Sequence, residues 1–268
     1  MQEPAASIQA LESGIAVLRL ERSSRLNALS FPDLQFIREL LDRTLSDADL
    51  RVLIITGDGD GFCAGLNLKS MLDANGEMHA TVRENMELQQ TFAGLVQRLR
   101  DNSVVVIAAI NGVAVGAGMA LALAADIRFA AHEASFHVGA VKIGITAGEC
   151  GISYHLPRLI GAGRAFELML SGRPVASKEA LSIGLVSDLT DRSELMERAL
   201  QCARQIVGNA PYSTAHTKRL MWQNLDAPSL QAAIELENHA QVLGLMTADF
   251  QEAVQAFMHK RPPDFNGR

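Results

Sequence analysis

Twice along this chain a short run rich in Val, Ile and Ala empties into a glycine-bearing turn. Val52 to Thr56 leads into GDGDGFCAGLNL, and Val104 to Ile110 leads into NGVAVGAGMALAL. Short apolar runs bounded by such turns read as buried strands. Between the two lies a long, polar helical pattern around Thr81 to Arg100. Strands alternating with helices at this spacing predict βα units and at least partly parallel pairing, which constrains the chain to an α/β class.

The flanking pattern agrees. Gly14 to Leu20 alternates like a strand, and ERSSRLNALS after it reads as a loop. Ser30 followed by Phe31, Pro32 and Asp33 is a helix start, and Leu34, Ile37, Leu40, Leu41 and Leu45 give that helix a buried stripe. Met119 to Ala125 predicts a short buried helix, and Asp126 to Ala130 a strand. Beyond Gly161 the pattern turns helical over Ala162 to Leu170, Ser177 to Ser182, Ser193 to Val207, and Leu230 to Met258 with a break near Gly244. This divides the chain into a mixed core, residues 1–200, and a helical C-terminal region, residues 201–268.

Composition narrows the function. Hydrophobic residues make up 48% and charged residues 20%, which fits a filled core and argues against disorder. A net charge of -6 speaks against a broad nucleic-acid surface. Cys63, Cys150 and Cys202 are scattered and odd in number, as expected of free thiols in a reducing cytoplasm. The N-terminal residues lack the layout of a secretory signal. The apolar stretch from Val104 is interrupted by Asn111 and the glycines after it, so a soluble protein with no membrane partner is expected.

The two glycine turns are candidate ligand sites. Small residues let the backbone approach a ligand, and each turn is expected to open directly into a helix, whose first N–H groups are unpaired and carry positive partial charge. Two such turns on neighbouring strands can aim two donors at one oxygen. A single turn of this kind is also ordinary βα loop chemistry. The dinucleotide fingerprint is incomplete, since Leu121 stands where its third glycine belongs, and no GK[ST] follows for a P-loop. Ser153 and His155 lack the G-x-S-x-G elbow. His132, Glu133 and His137 lack H-E-x-x-H spacing, so no metal is expected.

The wording of the turns is more specific. FCAGLNLK at 62–69 and AAINGVAVGAGMALALAADIRFA at 108–130 resemble two segments of the enoyl-CoA hydratase/isomerase (crotonase) family. LPRLIGAGRAFELMLSGRPVASKEALSIGLV at 156–186 and TADFQEAVQAFMHKRPPDF at 247–265 resemble its later stretches, in order along nearly the whole chain. The resemblance implies a spiral of repeated ββα units forming two roughly perpendicular sheets. It also implies a helical C-terminal trimerisation region, giving a homotrimer or a hexamer of two stacked trimers. It implies an acyl-CoA thioester as substrate, with no cofactor beyond the CoA moiety.

By the same resemblance the backbone N–H groups of Ala64 and Ala117 form an oxyanion hole, Ala117 replacing a more usual glycine. Arg25, Ala28, Gly65, Leu66, Asn67, Lys69 and Gly116 fall in the CoA-binding segments, with Phe257 and Lys260 contributing across a subunit boundary. Asn67 is expected to order its loop through its side chain. The basic residues are equally readable as solvated surface charges. The stretch from Met71 to Met86 is expected along the acyl tunnel.

The acids separate the reactions within the family. Its hydratases use two glutamates, and the matching residues here are Ala120 and Ala140, neither of which carries a proton. Glu149, in ITAGECGISYHLPR, aligns with the position where family isomerases hold a carboxylate. Shifting a double bond from C3 to C2 needs one base that removes a C2 proton and returns it at C4. A carboxyl raised by apolar surroundings suits that task, and Ala147, Cys150 and Ile152 are apolar neighbours. Alternatively, or in addition, Glu149 caps a helix starting near Gly151. The leading expectation is Δ3-Δ2-enoyl-CoA isomerisation or a related proton shift. Hydration of 2-enoyl-CoA and non-catalytic acyl-CoA binding are the alternatives.

Overall fold

The computed structural model describes residues 4–77 and 80–268. An antiparallel hairpin, β1 (Ala6–Glu12) and β2 (Ile15–Leu20), precedes α1 (Phe31–Leu45). Three repeats follow: β3 (Val52–Gly57), β4 (Gly61–Cys63) and α2 (Val82–Arg100); β5 (Val105–Ile110), β6 (Val113–Val115) and α3 (Ala117–Ala124); β7 (Ile127–Ala131), β8 (Ser135–His137) and α4 (Ile152–Ile160). Then come α5 (Ala162–Ser171), β9 (Pro174–Ala176), α6 (Ser177–Ser182) and β10 (Asp188–Thr190). Four helices complete the order: α7 (Leu195–Val207), α8 (Pro211–Asn224), α9 (Leu230–Leu245) and α10 (Ala248–His259).

The repeats build two sheets, a six-stranded one ordered β1-β2-β3-β5-β7-β10 and a four-stranded one ordered β4-β6-β8-β9. β3, β5 and β7 are parallel neighbours in the first, while β4, β6 and β8 are parallel neighbours in the second. Each ββα unit therefore advances one strand in both sheets at once, which is the expected spiral. The short strands of the second sheet carry too few residues for a periodicity signal, and two of them, β4 and β6, lie inside the glycine-bearing turns.

The apolar strands are explained by burial on both faces of the large sheet. Leu53, Ile55, Val106, Ala108 and Ile110 join the main core with α1, α2 and α3. Alternate residues Ile15, Val17, Val52, Ile54, Val105 and Ile107 join a second core closed by Leu195, Ala199 and Ala203 of α7. The expected boundary at residue 200 thus falls inside α7, a helix that packs on the large sheet. Helix ends follow local chemistry. Asp33 accepts hydrogen bonds from Ser30 N–H and Oγ at 2.9 and 2.6 Å, and Thr81 with Glu84 forms a reciprocal cap on α2.

The sequence reading did not anticipate β1 or α8. The α8 segment, PYSTAHTKRLMWQN, has little amphipathic pattern, and polar anchors dock it instead. Lys218 is buried and donates to the carbonyls of Leu99 and Val104 at 3.0 and 2.7 Å, while pairing with Asp126 at 3.0 Å. Trp222 Nε1 donates to the other oxygen of Asp126 at 2.6 Å. Among the described residues no helix is long and apolar enough to cross a membrane.

Removing one partner of a buried ion pair leaves the other charge uncompensated. Lys218→Ala should therefore destabilise the protein by about 3–5 kcal/mol, measured as a lowered urea midpoint.

Candidate active site

Close backbone approach brings the two glycine turns together. A Cβ on Gly118, in the first turn of α3, would overlap the Cys63 carbonyl at the end of β4. A side chain at Gly112 would overlap the Asp60 carbonyl, and one at Gly57 the Gly61 carbonyl. Gly65 adopts φ +80°, and a Cβ there would stand 3.4 Å from the N atom of Ala117. Ala117 is the first residue of α3, so its N–H has no partner within the helix. Gly116, ahead of it, has φ 50° and ψ −119°, a conformation that favours glycine.

The first turn differs from expectation. No α-helix follows it directly; Leu68–Met71 forms a single 3-10 turn. Ala64 is not a free donor either, because its N–H already donates to the Leu26 carbonyl at 2.8 Å. Leu29 then bridges across the turn, its N–H donating to Gly65 and its carbonyl accepting from Asn67, both at 2.8 Å. In this parallel bridge the N–H of Leu66 faces away from Leu29, and among the described residues it donates to no protein group. The two unpaired amides flanking Gly65 and Gly116 are those of Leu66 and Ala117.

Glu149 reaches the same place. A Cβ built on Gly116 would lie 3.0 Å from Glu149 Oε1, so the carboxylate sits against the start of α3. Its side chain makes no hydrogen bond or ion pair among the described residues. The capping alternative fails, since α4 has no side-chain cap and Ile152 N–H is taken by the Glu149 main-chain carbonyl at 2.8 Å. Ala147, Cys150 and Ile152 are buried around it. Burial alone pushes the Glu149 carboxyl above the ordinary glutamate range. Burial, followed by the charge of Glu149, raises the Cys150 thiol to about 12, so this cysteine stays protonated. Ala120 and Ala140 are buried and apolar, and no carboxylate stands at either position.

The remaining expected residues are more dispersed. Ala28 is half-buried near the Leu29 bridge, and Lys69 is exposed on the 3-10 turn. Arg25 pairs with Asp33 at 2.6 Å, and Arg22 pairs with the same carboxylate at 2.9 Å. Asn67 orders its loop through main-chain atoms, its carbonyl accepting from Ser70 N–H and Oγ, and its side chain makes no cap. Phe257 is 85% exposed and Lys260 lies at the end of α10, and no contact of theirs among the described residues joins them to Glu149. Of the stretch from Met71 to Met86, Met78 and His79 lie outside the described residues. One face of α2 runs along the Glu149 segment: Gln89 Nε2 is 3.5 Å from Cys150 Sγ, and Val96 packs beside Gly151. Met86, one turn before Gln89, continues that face and is half-exposed.

Two buried asparagines escaped the sequence reading. Asn27, at φ 58°, accepts from Arg22 N–H at 2.7 Å and donates to the Asp58 and Gly61 carbonyls at 3.0 and 2.8 Å. Asn111 accepts from Gly57 N–H at 3.1 Å and donates to Gly59 and Gly61. Together they lash the loop between β3 and β4. The N-G dipeptide at Asn111 was a legible turn signal, but its cross-loop partners were not. His137 bonds to Ser135 Oγ at 2.9 Å and His155 to Arg100, so both histidines are held by neighbouring side chains.

Comparison with known proteins places this geometry in context. The family model described as enoyl-CoA hydratase/isomerase matches residues 10–268. The Mycobacterium tuberculosis protein named "Probable enoyl-CoA hydratase EchA12" is 39% identical over 94% of this chain and 89% of its own length. A crystal structure of an enoyl-CoA hydratase from Bacillus anthracis superposes with a TM-score of 0.92 at 31% identity, covering 98% of this chain and all of that one. That of a monofunctional enoyl-CoA isomerase from M. smegmatis gives 0.73 at 37% identity, covering 87% of this chain and 99% of that one.

Two outcomes follow from the geometry. Gly116→Ala should cost about 1–3 kcal/mol in backbone strain and displace the Glu149 carboxylate, read as a lowered denaturation midpoint and a smaller kcat. A carboxyl whose folded pKa is raised adds stability at low pH and loses it as pH climbs through that pKa. Glu149→Gln should therefore raise Tm relative to wild type at pH 8, with the difference shrinking towards pH 5 in differential scanning calorimetry.

Proposed function

The chain belongs to the enoyl-CoA hydratase/isomerase family, and from that premise we propose that it catalyses a Δ3-Δ2-enoyl-CoA isomerisation or closely related proton shift, with Glu149 as base. The observation that carries this reading is a half-buried carboxylate, without a partner among the described residues, lying against Gly116 beside the free amide of Ala117.

In the proposed reaction the thioester carbonyl of an acyl-CoA accepts hydrogen bonds from the N–H groups of Leu66 and Ala117. Glu149 removes a C2 proton as negative charge grows on that oxygen, then returns the proton at C4 as the double bond settles between C2 and C3. Each oxyanion donor of this kind stabilises such a transition state by roughly 3–4 kcal/mol. The raised carboxyl matches the basicity the proton transfer asks for, because a base near the working pH transfers protons most effectively in both directions. The absence of a second carboxylate at Ala120 or Ala140 favours a one-base shift over hydration, which also requires water to be activated.

The C-terminal helices bear on assembly. Leu230, Val242, Leu243, Met246, Phe257 and Met258 are each more than half exposed along α9 and α10. Such surface supports self-association, and we read it as the contact of a homotrimer or a dimer of trimers. In that assembly a neighbouring copy's Phe257 and Lys260 would approach the CoA beside Arg25 and Lys69.

A paired assay tests the chemistry. Wild type and Glu149→Gln are each offered 3-enoyl-CoA and 2-enoyl-CoA thioesters, with double-bond migration and hydration followed separately. Wild type should isomerise, and the substitution should lower kcat by about 10²–10⁴-fold, the usual contribution of a positioned acid–base group. The rate should rise with pH through the raised carboxyl pKa, above the ordinary glutamate range. Isomerisation that survives Glu149→Gln refutes the base. Faster hydration than isomerisation supports the hydratase alternative, and binding of both thioesters without turnover supports a carrier.

A further inference from the structure

The turn that aims Glu149 is locally unfavourable. Cys150 is non-glycine with φ 45°, and Gly151 follows at φ 83°, so two consecutive left-handed residues link the carboxylate to α4. Something outside the turn must hold it. The His155 ring packs directly behind it, where a Cβ on Gly151 would meet His155 Cδ2 at 3.3 Å and Nε2 at 3.4 Å. His155 N–H also donates to the Gly151 carbonyl at 2.9 Å.

His155 is in turn clamped from three sides. Arg100 of α2 places Nη1 2.7 Å from His155 Nδ1 and 3.1 Å from Nε2. The same guanidinium stacks 3.3 Å over the Trp222 ring of α8, which meets His155 edge-on at 5.9 Å. Tyr154 meets the imidazole edge-on at 5.1 Å and carries the Arg158 guanidinium 3.6 Å over its own ring. Asp226, just past the end of α8, holds both Arg158, at 2.6 Å, and the Tyr154 hydroxyl. Trp222 and Lys218 both end on Asp126. A continuous chain of contacts thus runs from α8 through Arg100 and His155 to the Glu149 turn.

We infer that His155 is a positioning residue for Glu149: held by Arg100 and Trp222, its ring fixes the left-handed Cys150–Gly151 turn and so makes the aim of the base depend on the docking of α8. The inference rests on the assignment of Glu149 as base for its effect on rate, but not for its structural link. An arginine only donates, so the imidazole must offer Arg100 a lone pair and remain neutral. Its charge environment agrees, since burial, followed by Arg100, Arg128 and Arg158, holds its pKa at about 4. A neutral ring places no cation behind Glu149, and the carboxyl keeps the raised value that burial gives it. On the α2 side Gln89 Nε2 meets the Cys150 thiol of the same turn at 3.5 Å.

The test compares His155→Ala, His155→Gln and Glu149→Gln with wild type, each confirmed folded and of wild-type oligomeric state. Two quantities are read: kcat and KM on 3-enoyl-CoA, and the titration of the Glu149 carboxyl by infrared difference spectroscopy against Glu149→Gln. His155→Ala should lower kcat by about 10–100-fold, the scale of a small displacement of a reacting group, with KM changed less than about twofold. The Glu149 carboxyl should titrate at lower pH as water enters beside the loosened turn. His155→Gln, which still offers Arg100 an acceptor, should recover most of both. Where His155→Ala does not fold, Arg100→Gln loosens the ring without emptying its space and should shift both readouts in the same direction. An unchanged carboxyl titration in a folded His155→Ala or Arg100→Gln protein overturns the inference. Full activity in Glu149→Gln instead overturns the base assignment, while the titration still decides whether His155 governs the turn.

Discussion

The contact on which the site depends is one backbone lying directly on another. The first turn of α3 rests on the carbonyl of Cys63, and only a glycine at 118 permits that distance. Two further glycines, Gly57 and Gly112, let the loop between β3 and β4 fold onto the turn after β5. Asn27 and Asn111 then satisfy the carbonyls and N–H groups that this crowding buries. Dispersion and hydrogen bonding together make the pair of turns a rigid unit. The amides of Leu66 and Ala117 are left unpaired on either side of this contact, because the Leu26 and Leu29 loop takes up Ala64, Gly65 and Asn67 while Ala117 opens its helix.

A second tension sits at Glu149. A carboxylate without a counter-ion in apolar surroundings is unfavourable to folding, and the left-handed Cys150–Gly151 turn adds backbone strain. The surrounding structure offsets both. Ala147, Cys150 and Ile152 are fixed in the core, and His155 closes the back of the turn. Unfavourable local choices of this kind concentrate where chemistry needs them. The same burial that raises the Glu149 carboxyl would give it the basicity that the proposed proton shift uses, so stability and the proposed reactivity draw on one feature in opposite directions.

Particular residues show how far the sequence carried. Ser30 with Asp33 marked the start of α1, and the stripe through Leu34, Ile37 and Leu41 marked its buried face, because capping and amphipathicity are local. The β3 and β5 runs were legible as buried strands for the same reason. The second sheet was not, since strands of three residues such as β4, β6 and β8 carry no period to read. Helix α8 was missed because Lys218, Trp222 and partners in other elements dock it, and no apolar stripe announces that. The family resemblance points to Ala64 as a donor, but its N–H is taken by the Leu26 carbonyl, a contact between segments that the motif does not carry.

The sequence by itself determined the class of fold, the family, the two glycine turns, and the presence of alanine at 120 and 140 with a carboxylate at 149. Those are properties of residue identity and short-range spacing, which the chain carries whether or not it is folded. Tertiary structure alone decided which amides remain free, that the Glu149 side chain turns towards Gly116 instead of capping α4, and that His155 backs its turn. The physical reason is that a hydrogen-bond donor is available only when no other group has reached it first. That competition is settled between segments far apart in the chain, after the sheets have brought them together.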